Sequence, residues 1–399
     1  MEPLVTDIAV VGAGPAGLTA ALACAAAGVS VALVGRPAAD ARTTALLATS
    51  ITALERLGVW ADCRAQAAPL RVMRIVDDTR RLWRAPEARF SSEEIGLDAF
   101  GWNIENTHLA AALAARIAAT PAIAGFAVDA TGITSGADGA AVALADGRVI
   151  AARLVVGADG RRSLVRSAAG IETDGRSYPQ TAMGFTLRHS RPHHDISTEF
   201  HTEHGPFTLV PLPGSRSSLV WVTHPAEAED IAGRDDAALA KAIERRSHSI
   251  LGAMTLEPPR GRFPLAVETA RRFSAERTVL VGEAAHTLPP IGAQGFNLGL
   301  RDIATVAELV ADARRSGADI GGPAVTDAYD RQRRADTAAR RIAIDWLNRS
   351  LLSDFLPVQG ARGLGLYLID RIGPLRRAAM REGVSPLASS PRLMRGEPL

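Results

Sequence analysis

Lysine is nearly missing from this sequence: Lys241 is the only one among 45 basic residues, and arginine supplies the rest. Schiff-base chemistry and a phosphate-loop lysine therefore have almost no candidate, which excludes P-loop nucleotide hydrolysis. Cysteine is also scarce. Cys24 and Cys63 lack the paired spacing of a disulfide framework or a zinc site, so a reducing, cytoplasmic setting is expected. Net charge is small, with 45 basic against 43 acidic residues leaving +2, and this argues against a nucleic-acid surface. The one long apolar run, GLTAALACAAAGVSVALVG from Gly17 to Gly35, follows Glu2 and Asp7 where a secretory leader would be positive, and Gly28 interrupts it. Neither a leader nor a spanning helix is expected there. Five of the nine histidines fall between His189 and His204, but His201 and His204 would face opposite sides of an extended strand, so no metal site is expected.

What is present begins with DIAVVGAGPAGLTAALACAAAGVSVALVG. A short β-branched strand, a turn with Gly12, Gly14 and Gly17, an alanine-rich helix closed by Gly28 and a second strand make a dinucleotide-binding βαβ unit. Gly12 permits the tight turn, Gly14 lets backbone approach a pyrophosphate, and Gly17 brings helix against strand, leaving amides at the helix N-terminus for the anion. The carboxylate that normally holds the ribose, about 20 residues on, is missing; Gly35 and Arg36 stand there. An arginine at that place would meet a 2′-phosphate, which keeps a nicotinamide dehydrogenase open, while Asp40 offers an alternative ribose contact.

Two further turns follow apolar strands. LVVGADGRRSLVRSAAGI carries Gly157, Asp159 and Gly160 ahead of a short helix, and Asp159 suits a helix cap as well as a ligand contact. VGEAAHTLPPIGAQGFNLGLRD follows a strand from Thr278 to Val281. Gly292 and Gly295 would let backbone come within contact distance of a flat ring, and the helix starting near Gly295 would aim its positive end at that ring. Glu283 can accept hydrogen bonds from sugar-chain hydroxyls, and the Gln294 and Asn297 amides can bond either ring edges or backbone. The stretch reads as a flavin cradle.

Together VGAGPAG, GADGRRSLVR and GEAAHTLPPIGAQGFNLGLRD resemble the class A flavoprotein monooxygenases, and within them the hydroxylases of ubiquinone biosynthesis. Weaker likenesses are DARTTALLATS, FGWNIENTHL and GPFTLVPLPGSRSSLVWV, so the resemblance covers most of the chain. It implies that Gly12, Gly14 and Gly17 hold the FAD pyrophosphate and that Arg42 and Asn106 also touch FAD. It further implies that Asp159 serves FAD and the pyridine nucleotide, that Glu283 binds the ribityl chain, and that Gly292, Gln294, Gly295 and Asn297 lie beside the isoalloxazine. The family usually has an acid where Gly35 stands and Asp where Glu283 stands.

The three flavin motifs are far apart in the chain, so the expected α/β fold is a Rossmann-like FAD-binding domain built from discontinuous segments, 1–71, 103–170 and 265–345. A mostly antiparallel β-sheet substrate domain, 72–102 and 171–264, is inserted, and a helical C-terminal region covers 346–399. Strand-like runs Thr181–Leu187, Phe207–Val210 and Ser218–Thr223 mark the insert. In the C-terminal part, Tyr329, Ala339, Ile342, Ala343, Trp346 and Leu347 are spaced for one buried face, with Arg331, Arg333, Arg334, Arg340 and Arg341 read as a solvated one. GLGLYLIDRIGPLRRAAMR, Gly363 to Arg381, suggests contact with the inner face of a membrane or with a biosynthetic complex.

His286 reads as a packed structural histidine, and neither Ser50 nor Ser163 has a nucleophile-elbow setting. No side chain is assigned as catalytic, because the flavin is the reactive centre. The resemblance implies an FAD-dependent hydroxylase of an aromatic quinone precursor, using NADH or NADPH and O2. The alternatives are a flavin reductase or oxidase of another lipid, and a non-catalytic nucleotide-binding subunit. A bulky residue in place of Gly295 is expected to abolish flavin retention; a variant purified yellow and active would show the ring to be misplaced.

Overall fold

The computed structural model describes residues 3–37, 40–79, 86–289, 293–352, 371–384 and 390–399. Its first sheet is ordered Ser274–Ala275, Thr278–Leu280, Val149–Gly157, Leu4–Val11, Val31–Val34 and Ile123–Phe126. All of these pairings are parallel except the first. Strands covered on both faces must be apolar throughout, and Ile8, Ala9 and Val10 expose nothing. The helices Pro15–Ala26, Asn106–Ala118 and Gln294–Arg315 provide the cover. Pro15 suits the first helical position because its missing N–H would have no partner there.

Gly12 shows why the first two motifs meet. Its φ is +117°, and an added Cβ would stand 2.3 Å from the Ala158 carbonyl oxygen. At Gly17 a Cβ would stand 1.8 Å from the Gly12 oxygen. Backbone therefore packs directly on backbone between the first turn and the turn that carries Asp159, and only glycine permits it.

The second sheet is ordered His286–Thr287, Met254–Ala270, Thr173–His189, Arg216–Thr223, Gly205–Leu212, Ile196–Thr202, Val72–Asp77 and Ala88–Ser91. It is antiparallel apart from the parallel pairing of Ile196–Thr202 with Val72–Asp77. The strand runs expected at 181–187, 207–210 and 218–223 lie within its longer strands. A third, three-stranded sheet joins Thr43–Leu47, Gly101–Glu105 and Ala67–Leu70. One face of the second sheet packs Phe185, Phe207 and Trp221 against the helices Pro225–Gly233 and Asp236–Arg246. The other face turns toward the nucleotide lobe, where Thr43 Oγ1 donates to Ser218 Oγ (3.0 Å) and Asn103 Nδ2 donates to the Pro211 carbonyl (2.9 Å).

One sequence reading needs correction. Arg331 and Arg334 are exposed as expected on the helix Pro323–Leu352, but Arg333 is 2% exposed. Its Nε donates to Asp302 Oδ1 (2.7 Å) and its Nη1 to Asp336 Oδ2 (2.6 Å). A buried guanidinium persists only with such partners, and Asp302, from the GLRD end of the third motif, is itself fully buried. Asp302 Oδ2 also accepts the Gly282 N–H (3.0 Å) and meets His286 Nε2 (2.6 Å), so His286 is a packed, hydrogen-bonded histidine. Tyr329 is buried, as the spacing implied, and its hydroxyl donates to the Leu280 carbonyl (2.6 Å). The side chains of Ala339 to Leu347, Arg340 and Arg341 included, lie outside the described residues, as do residues 363–370.

Burial pushes the Asp302 carboxyl up, but His286 and Arg333 outweigh it and hold the group below its ordinary 3.8. A depressed folded value gives stability that is present above the unfolded pKa and is lost as pH falls toward the folded one. Asp302→Ala leaves Arg333 without its partner and is expected to cost about 3–5 kcal/mol, read as a lowered denaturant midpoint at neutral pH. A midpoint equal to that of the native protein would remove the network from the stability of the fold.

Candidate functional site

The site starts at the N-terminus of the helix Pro15–Ala26. Gly14 is its N-cap, with extended backbone, and a Cβ built there meets nothing within 4 Å. Gly12 and Gly17 are closed by backbone while Gly14 faces open space, so the turn has room for a group at Gly14 alone. With no acidic side chain in the first helical turn, the amides and the helix dipole favour an anion there.

The missing acid at position 35 has a steric cause. Gly35 has φ +147°, and an added Cβ would stand 2.8 Å from the Ala13 nitrogen, so this backbone course excludes any side chain. Arg36 is solvated and lies 3.3 Å from Asp129.

Asp40, Arg42, Asn106 and Glu283 come together from three distant stretches. Arg42 donates from Nε and Nη2 to the two Asp40 oxygens, each at 2.8 Å, and its Nη1 lies 3.6 Å from Glu283 Oε1. Asn106 Nδ2 donates to Asp40 Oδ2 (2.8 Å), and Thr44 Oγ1 donates to Asn106 Oδ1 (2.5 Å). Burial pushes the Asp40 carboxyl up, but Arg42 and Asn106 hold it below the usual range. Asp40 thus braces Arg42 and Asn106, a role the sequence did not reveal.

Ser163 caps the helix Leu164–Ala168 by accepting the Arg166 N–H (2.9 Å), and Asp159 braces that cap by accepting from Ser163 Oγ (2.5 Å) and from the Val165 N–H (3.1 Å). Arg166, three residues past Ser163, carries the link to the third motif through Nη1 to the Ala284 carbonyl (2.9 Å).

In that third motif Gly292 lies outside the described residues. The helix Gln294–Arg315 begins after Ala293, whose φ is +56°. Gly295 is exposed in the first turn and a Cβ there meets nothing within 4 Å, whereas a Cβ at Gly299 would come 3.2 Å from Gly282 Cα. Gln294 beside Gly295 is half-buried. The Asn297 amide donates to the Ala45 (2.7 Å) and Ala293 (2.5 Å) carbonyls and accepts the Leu47 N–H (2.9 Å). Of the two uses open to Asn297, backbone is the one made. It ties the strand Thr43–Leu47 to the start of this helix. Across from Arg42 stands Phe263, 42% exposed, with the guanidinium carbon 5.8 Å from its ring centroid. Its position among polar and glycine residues in EPPRGRFPL hid it in the sequence.

An open cradle at Gly14, a helix N-terminus free of acid and a convergent Arg42, Asn106 and Glu283 fit an anionic dinucleotide. Residues 5–342 match the family described as FAD binding domain, and the chain belongs to the class A FAD-dependent monooxygenases. It is an enzyme of that class, with FAD as cofactor. It is 36% identical over 407 residues to ubiquinone hydroxylase UbiL of Rhodospirillum rubrum, covering 99% of this chain and 94% of that protein. Identity to the 3-demethoxyubiquinol 3-hydroxylase of Escherichia coli is 31%, over 94% of this chain and 97% of that one. Among solved structures, p-nitrophenol 4-monooxygenase PnpA from Pseudomonas putida superposes with a TM-score of 0.78 at 19% identity, covering 96% of this chain and 98% of that chain. Klebsiella pneumoniae HpxO complexed with FAD gives 0.75 at 20%, covering 97% and 99%.

Gly14→Val adds bulk only where the turn is open, so the protein is expected to fold and to hold FAD on the order of 100-fold more weakly, about 3 kcal/mol. Circular dichroism with titration of flavin fluorescence checks this; undiminished affinity would place the pyrophosphate elsewhere.

Proposed function

We propose that this enzyme hydroxylates the aromatic ring of a polyprenylated phenol in ubiquinone biosynthesis, with NADH or NADPH and O2 as co-substrates. The observation that carries the reading is full-length similarity to two proteins named for hydroxylation of ubiquinone or its precursor. The sheet face opposite Arg42 supports it, since Phe263 is exposed and Gly184 and Val220 are partly open there, over a buried apolar cluster of Ala182, Val222 and Leu265. An isoprenoid tail needs such a surface, and the same surface keeps water from the reacting ring.

Bound FAD supplies the redox chemistry: electrons from the nicotinamide and activation of O2. Gly14 takes its pyrophosphate in the turn that Gly12 and Gly17 close, Arg42 and Asn106 position it, and Glu283 accepts from its ribityl hydroxyls. Gln294 and Gly295 border the ring, while Asn297 and Asp159 act through backbone, one fixing the loop and the other the turn. Arg42 stands between Glu283 and Phe263, and so orients the cofactor side and the substrate side of the site together.

No helix among the described residues is long and apolar enough to cross a membrane. At the start of the helix Gly373–Val384, Ile372 and Leu375 are each 45% exposed, with Arg377 and Arg381 exposed further on. Apolar side chains followed by arginines support a peripheral contact with the inner membrane face or a biosynthetic assembly through this helix.

Deleting the gene and identifying lipids by mass tests the reading. A phenolic precursor lighter than the next intermediate by one oxygen is expected to accumulate. Intact quinone synthesis with no phenolic lipid would sink the substrate assignment.

A further inference from the structure

The sheet face that carries Phe263 continues away from Arg42 in rows of directly opposed residues. One row runs Gly261, Gly184, Val220, Thr208 and Glu199. The neighbouring row holds Phe263, Ala182 and Val222 at one end and Pro206 with His201 at the other. Phe200, between Glu199 and His201, points the opposite way, into the core beneath the helices. Because side chains alternate along a strand, Glu199 and His201 share the face that turns toward the nucleotide lobe. The face is thus apolar from Phe263 to Val220 and ends in an acid and an imidazole.

Glu199 Oε1 lies 2.8 Å from His201 Nε2, and Thr208 Oγ1 donates to Glu199 Oε2 (3.3 Å). The His201 side chain is 4% exposed and that of Glu199 22%. Burial pushes the Glu199 carboxyl up, but His201 and Thr208 outweigh it and keep the group below its ordinary 4.5. An ionised carboxylate offers about four acceptor positions. His201 and Thr208 each take one, and the side chain is partly open. His201 Nδ1 is buried with no hydrogen-bond partner among the described residues. Between this pair and Phe263 the floor is flat, for at Gly184 a Cβ would meet only the Phe263 ring edge at 3.9 Å.

Resting on the hydroxylase reading, we propose that Glu199 accepts a hydrogen bond from the ring hydroxyl of the substrate, with His201 and Thr208 as positioning residues. An aromatic ring lies on the apolar rows with its hydroxyl toward Glu199 and its tail toward Phe263. The acceptor draws the hydroxyl proton outward and raises electron density on the ring carbons ortho and para to it, the positions an electrophilic oxygen attacks. The same contact selects for phenols, because an ether has no proton to give and leaves the carboxylate without its donor.

The test uses the FAD-loaded full-length enzyme with two probes, 2-prenylphenol and its methyl ether, and reads dissociation constants from flavin absorbance along with product formation. The native enzyme is expected to bind the phenol about 10–100-fold tighter than the ether. Glu199→Gln is expected to reduce that ratio about tenfold with ether binding unchanged, and His201→Asn to reduce it less. A merely structural pair would shift both probes together, so an unchanged ratio overturns the proposal. Should Glu199→Gln fail to hold FAD, Thr208→Val makes the same comparison, and a ratio equal to the native one again overturns it. If the native enzyme holds FAD yet binds and hydroxylates neither probe, the hydroxylase reading fails instead.

Discussion

Asp302 is the constraint on which the flavin loop depends. Fully buried, it accepts from the Gly282 amide and Arg333 Nε and meets His286 Nε2, so one carboxylate gathers a loop, a strand and a helix from three parts of the chain. A charge without water requires partners on every side, and that requirement fixes geometry more tightly than apolar contact does. The loop it fixes carries Glu283. Glu283 meets Arg42, and Arg42 lies over Phe263. Position is thus passed from a buried ion pair to the surface where a substrate ring would rest.

Glycine does the complementary work. At Gly12, Gly17 and Gly299 backbone approaches backbone so closely that a Cβ has no room, whereas at Gly14 and Gly295 the space beyond is open. The first set closes the protein on itself and the second leaves room for a cofactor. Both sets look alike in a sequence, and the difference is decided by what each glycine faces.

The βαβ unit and the antiparallel insert were legible because they rest on local rules: β-branched runs, alternation, and glycine where a turn needs it. The convergence of Arg42, Asn106 and Glu283 came only by resemblance, since nothing in residues 42, 106 and 283 states that they touch. Arg333 was misread for a related reason. Helical periodicity places an arginine on a face, but a distant aspartate decides whether that face is wet. Asn297 left two uses open, and the arrival of the strand Thr43–Leu47 beside it settled which one was made.

By itself the sequence determined the element types and the glycine turn of the βαβ unit, which follow from residues near one another in the chain, while the class of chemistry came by resemblance. Tertiary structure alone decided which charges are buried, why position 35 admits no side chain, and that an acid and an imidazole end the apolar face opposite Phe263. Those outcomes depend on contacts between segments separated along the chain. Composition and periodicity carry no record of such contacts, because they arise only when strands pair in one register and helices close over them.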